Sequence, residues 1–567
     1  MFKRIFLITI TILLTVPAYA EFIPSQPVIQ VRELHSGMTG YMLTVLKGTK
    51  PTKIPVRIMS VVPQKPGKDF ANLVLIKILG GHKLSQGMSG SPVYIQGRLA
   101  GAMRSGWKDT DHTLGVMMPI EYMCKIPDAH THASRFASIN SITVSGLSAN
   151  TPAMSGLSRK LGITFTQGMS AGTGSLMDEA APLNPGESVA VLLVWGDVEL
   201  AAFGTVTATD NHGRFLAFGH DFAKRGNVSY PSAGAYVYDV IDSTSFPFKI
   251  YSTLGINGTV TQDREAGIAG RFGYYAPSAS GEFVFSDLDR NTEDKYRFRT
   301  IIDEFATDEV IEAVCKGLAE ELWGRKGQGT MSVNLRIDGK NLPNGWARKD
   351  IFYSEENIID EAFKQLKLIV SAYLTQPFNE TMPVGFSVKV EATQNPRVLL
   401  IEDVEAPEDA KPGEEIEVSV KLRGWRTEPV TRKFKLKIPE DASGVVELIV
   451  RGGGTQSFGQ AGVEGGWKSI TSLERMLSEF QAADSNNQLI IELNADRTGD
   501  LVRKIQNARK KGAKSKRKSE REPDLLPEEE EYLSETKERR IKEGTLKIYS
   551  SDYYVDGLMR RVIHTEK

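Results

Sequence analysis

The sequence predicts a mainly β, multi-domain protein: two barrel-like β halves, then an α/β region and a β-sandwich. Three observations carry this. Short apolar and β-branched runs, such as Tyr41-Met42-Leu43-Thr44-Val45, alternate with turns through about residue 285, and 52 glycines are spread over the 567 residues. Apolar residues at helical spacing are scarce until Val310, Val314, Leu318 and Leu322, beyond which helices enter. A clean period of two returns at Glu415-Ile416-Glu417-Val418-Ser419-Val420 after the turn Lys411-Pro412-Gly413. The length implies three or four domains, each able to bury a core.

Residues 1–20 follow an export pattern: Lys3 and Arg4, an apolar run, then Ala18-Tyr19-Ala20 as a small-x-small cleavage site. The apolar run is shorter than the ~20 residues of a spanning helix, and no later segment is long and apolar enough to span. The expectation is an exported protein, periplasmic or extracellular, with no transmembrane span after cleavage. Residues 21–125 form the first β half. Residues 126–182, rich in Ser, Ala, Gly and Thr, read as a connecting segment, and residues 183–285 as the second β half. The α/β region is placed at 286–384, with a second helix running from a Ser354 cap through Ile359, Phe363, Leu366 and Val370. An Ig-like β-sandwich is expected at 385–455 and a C-terminal α/β region at 456–567.

Lys plus Arg (69) and Asp plus Glu (70) nearly cancel, so no global field points to nucleic acid. Ten basic residues between Arg503 and Arg521 precede Glu528–Glu531. With no aromatics between them they read as part of a solvated charged loop, 503–545, and not as a stacking surface for nucleic acid.

The chemistry centres on Gly87-Met88-Ser89-Gly90-Ser91-Pro92. Glycines on both sides of Ser89 allow a tight turn that projects the hydroxyl and lets nearby N–H groups converge, as an acyl-transfer nucleophile requires. Val93-Tyr94-Ile95 and Leu99-Ala100-Gly101-Ala102, joined at Gln96-Gly97, read as a hairpin holding that loop. A related Gly168-Met169-Ser170 lacks the Gly-Ser-Pro continuation and the hairpin. The serine needs a base. His220 is the first choice because it follows a strand and Gly219; His35 and His82 come next, while His112, His130, His132, His212 and His564 lie in polar turns or tails.

Gln86 through Pro92, then Gly97-Arg98-Leu99-Ala100-Gly101-Ala102 and Leu114-Gly115-Val116-Met117-Met118-Pro119, resemble the peptidase domain of the SpoIVB (stage IV sporulation protein B) family of serine peptidases. The segment opening at Ser36-Gly37-Met38-Thr39-Gly40 is similar to that domain's start, and Phe218-Gly219-His220-Asp221 to its Gly-His motif. The resemblance spans roughly residues 30 to 280 and implies a chymotrypsin-like two-barrel serine endopeptidase acting on protein or peptide substrates in the envelope. Ser89 would be the nucleophile, His220 the base, and the Gly87 and Ser89 N–H groups the oxyanion hole. The serine half precedes the histidine half here, and no PDZ module is evident. The family's acidic position falls near Asn72. Asp69 is therefore the first candidate for the third member, with Asp197 and Asp221 as alternatives and a Ser-His dyad as the remaining possibility.

No metal or organic cofactor is implied. Cys124 and Cys315 are the two cysteines; an exported chain permits a disulfide, and two separate thiols fit equally. The alternative function is a non-catalytic envelope binding or scaffold protein that keeps the peptidase fold.

Overall fold

The computed structural model describes residues 21–64, 70–128, 141–168, 180–455, 470–495 and 533–565. The chain divides into two compact units, one reaching to Ala149 and including Ser158–Pro277, the other comprising Asn150–Leu157 and the chain from Ser278. The export segment 1–20, Asp69, Ser170, His130, His132 and the basic run 503–521 lie outside the described residues. Among the described residues no helix is long and apolar enough to cross a membrane, and no cluster of three or more metal-ligating side chains occurs.

The first unit opens with a closed six-stranded barrel, β1 (Thr39–Val45), β2 (Pro51–Pro63), β3 (Asn72–Ile78), β4 (Pro92–Ile95), β5 (Arg98–Gly106) and β6 (Leu114–Pro119), in the order β1-β2-β3-β6-β5-β4. Alternation builds it. Ile54, Val56 and Ile58 point inward from β2 and meet Val74, Ile76 and Val93 in one core, while Lys53 and Arg57 face out. Gln96 and Gly97 both take positive φ, 52° and 76°, making the tight two-residue hairpin between β4 and β5.

After helix α1 (Ile120–Met123) the connecting segment is partly ordered. It holds β7 (Ser141–Ser145), α2 (Pro152–Leu161) and β8 (Thr164–Gln167), and β7 pairs with β10 below. The second β half contains β9 (Ser188–Gly196), β10 (Glu199–Thr209), β11 (Arg214–Ala217), β12 (Gly226–Ile241), β13 (Phe248–Arg264) and β14 (Gly267–Phe272). Its pairings run β9-β12-β13-β14-β11-β10 and return from β10 to β9, a closed circuit. β9 is buried on both faces, as its unbroken run Val189–Trp195 requires.

In the second unit β15 (Ser278–Asp287), β16 (Thr292–Ile301), β17 (Gly329–Gly339), β18 (Leu342–Ser354) and β19 (Pro383–Thr393) lie in the order β18-β17-β19-β15-β16, with helices α3 (Thr307–Trp323) and α4 (Ile358–Thr375). The sequence-based boundary at 285 thus falls inside β15. The α4 cap is Asn357, whose side-chain oxygen accepts from the Asp360 N–H, three residues past the expected Ser354.

The sandwich also differs from the expected 385–455. Strand β19 belongs to the α/β sheet. Two further sheets, β20 (Val398–Glu405), β22 (Glu415–Gly424) and β23 (Val430–Lys437) on one side and β24 (Gly444–Gly452) on the other, take strands from beyond residue 456. β21 (Asp409–Ala410) and β24 join β25 (Gln488–Ala495), β26 (Leu546–Ser550) and β28 (Leu558–Thr565), and β20 pairs with β27 (Tyr554–Asp556). Val418, Val420, Leu448, Ile491 and Ile563 share one core, so 398–565 behaves as a single module. Alternation locates strands but does not name their partners, which is why the boundary was misplaced. Helix α5 (Leu473–Ala482) precedes β25. Part of the expected charged loop is helix α6 (Leu533–Glu543), whose Arg540 pairs with Glu492 of β25.

Both cysteines are free thiols. Burial pushes Cys124 up to about 12 and raises Cys315 as well, so neither is a ready thiolate.

Candidate functional site

Within the first unit, the serine loop of the barrel lies against β10 and the turn that follows β11. Loop residues 87–91 are stitched inward by backbone and hydroxyl bonds. The Gly90 N–H donates to the Met103 carbonyl (2.7 Å), and the Thr205 N–H to the Ser89 carbonyl (2.8 Å). The Thr205 hydroxyl donates to the Gly87 carbonyl (3.2 Å) and the Thr207 hydroxyl to the Gly90 carbonyl (2.7 Å). Gly90 cannot carry a side chain here, since its φ is +88° and a Cβ would stand 2.1 Å from the Thr205 carbonyl oxygen.

What this stitching leaves unused is informative. The N–H groups of Met88 and Ser91 close turns onto Ser85 and Met88. Among the described residues, those of Gly87 and Ser89 have no acceptor, and the Ser89 hydroxyl has no partner. Ser89 is half-buried, whereas Ser91 is fully buried and spends its hydroxyl on Thr205 (3.3 Å). Ser85 is buried too. Of the three serines in the run, Ser89 alone combines access to solvent with two flanking, uncommitted backbone donors.

Thr205 also links the loop to the histidine. Its carbonyl accepts from the Phe218 N–H (3.4 Å), two residues before His220. Phe218 is buried yet has φ +69°, and the Gly219 N–H closes a three-residue turn onto the Ala217 carbonyl (2.9 Å). A bulky residue held in this region costs on the order of 1–3 kcal/mol and persists where the surroundings impose it.

His220 is almost wholly buried. Its Nδ1 lies 2.6 Å from the Asp221 main-chain carbonyl, so Nδ1 carries the proton and Nε2 is left as an acceptor; among the described residues Nε2 has no hydrogen-bond partner. The carbonyl thereby sets the tautomer that a carboxylate sets in a triad. No hydrogen bond joins Nε2 to Ser89. Burial pushes the imidazole down to about 3, the Asp221 carbonyl opposing and the Arg104 guanidinium adding to the shift. Arg104 is itself buried and donates to the Gly219 (3.1 Å) and Glu265 (2.7 Å) carbonyls. Asp263 accepts from the N–H groups of Phe222, Ala223 and Arg225, which fixes the loop after the histidine.

The acidic candidates are placed as follows. Asp69 lies outside the described residues, and Asn72, at the start of β3, donates to the Tyr122 hydroxyl (3.4 Å). Asp197 sits in the turn before β10, eight residues from Thr205. Asp221 meets the imidazole through its carbonyl, while burial pushes its carboxyl up to about 6, with Lys224 opposing and Asp263 adding. His35 is exposed and His82 half-buried. His112, expected on the surface, is buried, with φ +55° and its ring 4.9 Å from that of Phe246.

Sequence reasoning missed Thr205, Thr207, Arg104, Asp263 and Lys249. Lys249 was findable: with Tyr251 and Thr253 it follows the period of two onto the buried face of β13.

The buried histidine has a stability consequence. Its folded pKa lies below the unfolded value, so between about pH 6.5 and 3 the unfolded chain binds the extra proton, and this contribution to stability is lost as pH falls. Asp221 and Glu199, raised by burial to about 6 and about 7, act in the opposite sense between about pH 4 and 7. His220→Gln is expected to flatten the acid-side loss, by on the order of 4 kcal/mol at pH 3. Denaturant titrations across that range check it, and parallel curves would refute it.

Compared with protein families, curated proteins and solved structures, the chain matches none of them.

Proposed function

We propose that the chain is an exported serine endopeptidase of the SpoIVB type, cutting protein substrates in the cell envelope, with Ser89 as nucleophile and His220 as base in a chymotrypsin-like two-barrel setting. The observation that carries this is the uncommitted Ser89 hydroxyl flanked by the unbonded N–H groups of Gly87 and Ser89. The export segment and the motif resemblance support the location and the family.

In the reaction, Ser89 Oγ attacks the scissile carbonyl and its proton passes to His220 Nε2. The oxyanion is held by the two N–H groups, worth around 3 kcal/mol each by analogy with measured donors. The imidazolium then protonates the leaving amine, and water hydrolyses the acyl-serine by the same route. Because among the described residues neither Ser89 Oγ nor His220 Nε2 has a side-chain partner to give up, bringing them together breaks no such bond. Apo geometry of catalytic pairs is commonly longer than in the working complex.

His220→Ala is expected to lower cleavage of an unstructured protein roughly 10⁴-fold, and the double variant with Ser89→Ala to be little worse than either single one. A His220→Ala protein with wild-type activity would remove the base assignment. The depth of burial of His220 favours a second reading, a non-catalytic envelope binding protein that keeps the peptidase fold. That reading predicts no turnover by the purified, folded wild type.

A further inference from the structure

Lys249, at the start of β13, runs beside the serine loop. Its N–H donates to the Gln86 carbonyl (3.3 Å), and the Gln86 N–H donates to the Pro247 carbonyl (2.8 Å). Lys249 is 4 % exposed. Its Nζ donates to Thr44 Oγ1 (2.9 Å) and to the Gly87 carbonyl (3.3 Å), and no carboxylate lies within ion-pair reach of it among the described residues. Burial pushes this amine down to about 7. An amine buried without a counter-ion destabilises a fold relative to an apolar side chain of the same shape. Here it bonds to Gly87, two residues before the proposed nucleophile.

The Gly87 carbonyl is the group it holds. With φ +89°, Gly87 belongs to a conformation that only glycine adopts freely, and the same freedom would let its peptide turn over. Turned outward, the carbonyl oxygen would approach the place where negative charge develops. Turned inward, the carbonyl accepts from two donors, Lys249 Nζ and the Thr205 hydroxyl (3.2 Å), while the Met88 N–H of the same peptide donates to the Ser85 carbonyl (3.1 Å). The Tyr251 hydroxyl lies 1.7 Å from where a Gly87 Cβ would stand.

Resting on the serine-peptidase reading, we propose that Lys249 is a positioning residue for the oxyanion hole, anchoring the Gly87 carbonyl inward so that the N–H groups of Gly87 and Ser89 stay free for the substrate's developing oxyanion. It touches neither Ser89 Oγ nor His220 Nε2, so its effect is exerted through the loop. Losing it should act on the transition state and leave ground-state binding largely alone.

The test compares wild type, Lys249→Met, Lys249→Arg and Thr44→Val in cleavage of an unstructured protein and in fluorophosphonate labelling. Lys249→Met is expected to lower kcat roughly 10²-fold to 10³-fold with KM within about threefold. Its Tm should be no lower than wild type, because the buried amine is gone. Arginine keeps a donor while being unable to accept a proton, so Lys249→Arg should recover at least about a tenth of the activity. Thr44→Val, which removes the amine's other partner, should lower kcat severalfold.

Unchanged kcat in folded Lys249→Met overturns the proposal, as does a folded arginine variant no better than methionine, which would assign Lys249 to proton transfer. If Lys249→Met does not fold, an unchanged kcat in Thr44→Val overturns it instead. A wild-type chain that neither labels nor cleaves rejects the peptidase reading itself, and this inference with it.

Discussion

Ser89→Ala is expected to abolish cleavage, by roughly 10⁴-fold to 10⁶-fold, and to leave the thermal transition nearly where it was. The two halves of this expectation have separate causes. In the proposed mechanism this hydroxyl forms the acyl bond. It is also bonded to nothing within the described chain, and the residue's structural contribution, the carbonyl that accepts from the Thr205 N–H, survives the substitution. Surface changes of this kind usually stay within about 0.5 kcal/mol. Ser91→Ala is the internal control. It removes a buried hydroxyl bonded to Thr205, so it should cost about 1 kcal/mol of stability while leaving most of the activity. Peptide-cleavage kinetics and a melting curve on each variant decide the matter, and wild-type cleavage by Ser89→Ala would mean that another residue does the chemistry.

Gly90→Ala should damage both fold and activity. The new Cβ would lie 2.1 Å from the Thr205 carbonyl oxygen and 2.4 Å from the Phe218 nitrogen, the two main-chain atoms of the bond that joins β10 to the histidine turn. Neither can give way without separating those elements. To this clash is added the strain of alanine at φ +88°. Together they should cost about 3–5 kcal/mol. If the chain still folds, the loop must have shifted by something like an ångström, and a shift of that size typically costs on the order of 10²-fold in rate. Gly97→Ala makes the comparison sharp: its φ is also positive, but a Cβ there meets nothing within 4 Å. It should show only the backbone strain, about 1 kcal/mol. Equal losses at positions 90 and 97 would contradict the packing account.

Much of the local structure was legible because it is written at short range. The Gln96-Gly97 turn, the strands of the barrel and the two helices α3 and α4 follow from turn chemistry and periodicity within a few residues. The serine loop was legible for the same reason, since Gly87 and Gly90 take the positive φ angles that its tight turn requires. What escaped depends on partners far away in the chain. Thr205 and Thr207 look like ordinary strand threonines until Gly87, Ser89 and Gly90 are laid across them. The sandwich strand β24 pairs with β25 and β28, which lie beyond the boundary drawn from alternation alone. The third catalytic member was sought among carboxylates, yet the group bonded to His220 Nδ1 is a main-chain carbonyl that any residue at position 221 would supply.

The most direct test of the account is covalent. A fluorophosphonate reacts only with a serine whose hydroxyl is activated and whose adduct oxygen can enter an oxyanion hole, so it reads the nucleophile and the two N–H donors together. The purified wild-type chain should incorporate one label, mapped by peptide mass spectrometry to the peptide containing Ser89. Ser89→Ala should incorporate none. A correctly folded wild type that never labels, or a label carried by Ser85, Ser91 or any other residue, would contradict the claim that the loop at residues 87–91 is the active centre of a serine peptidase.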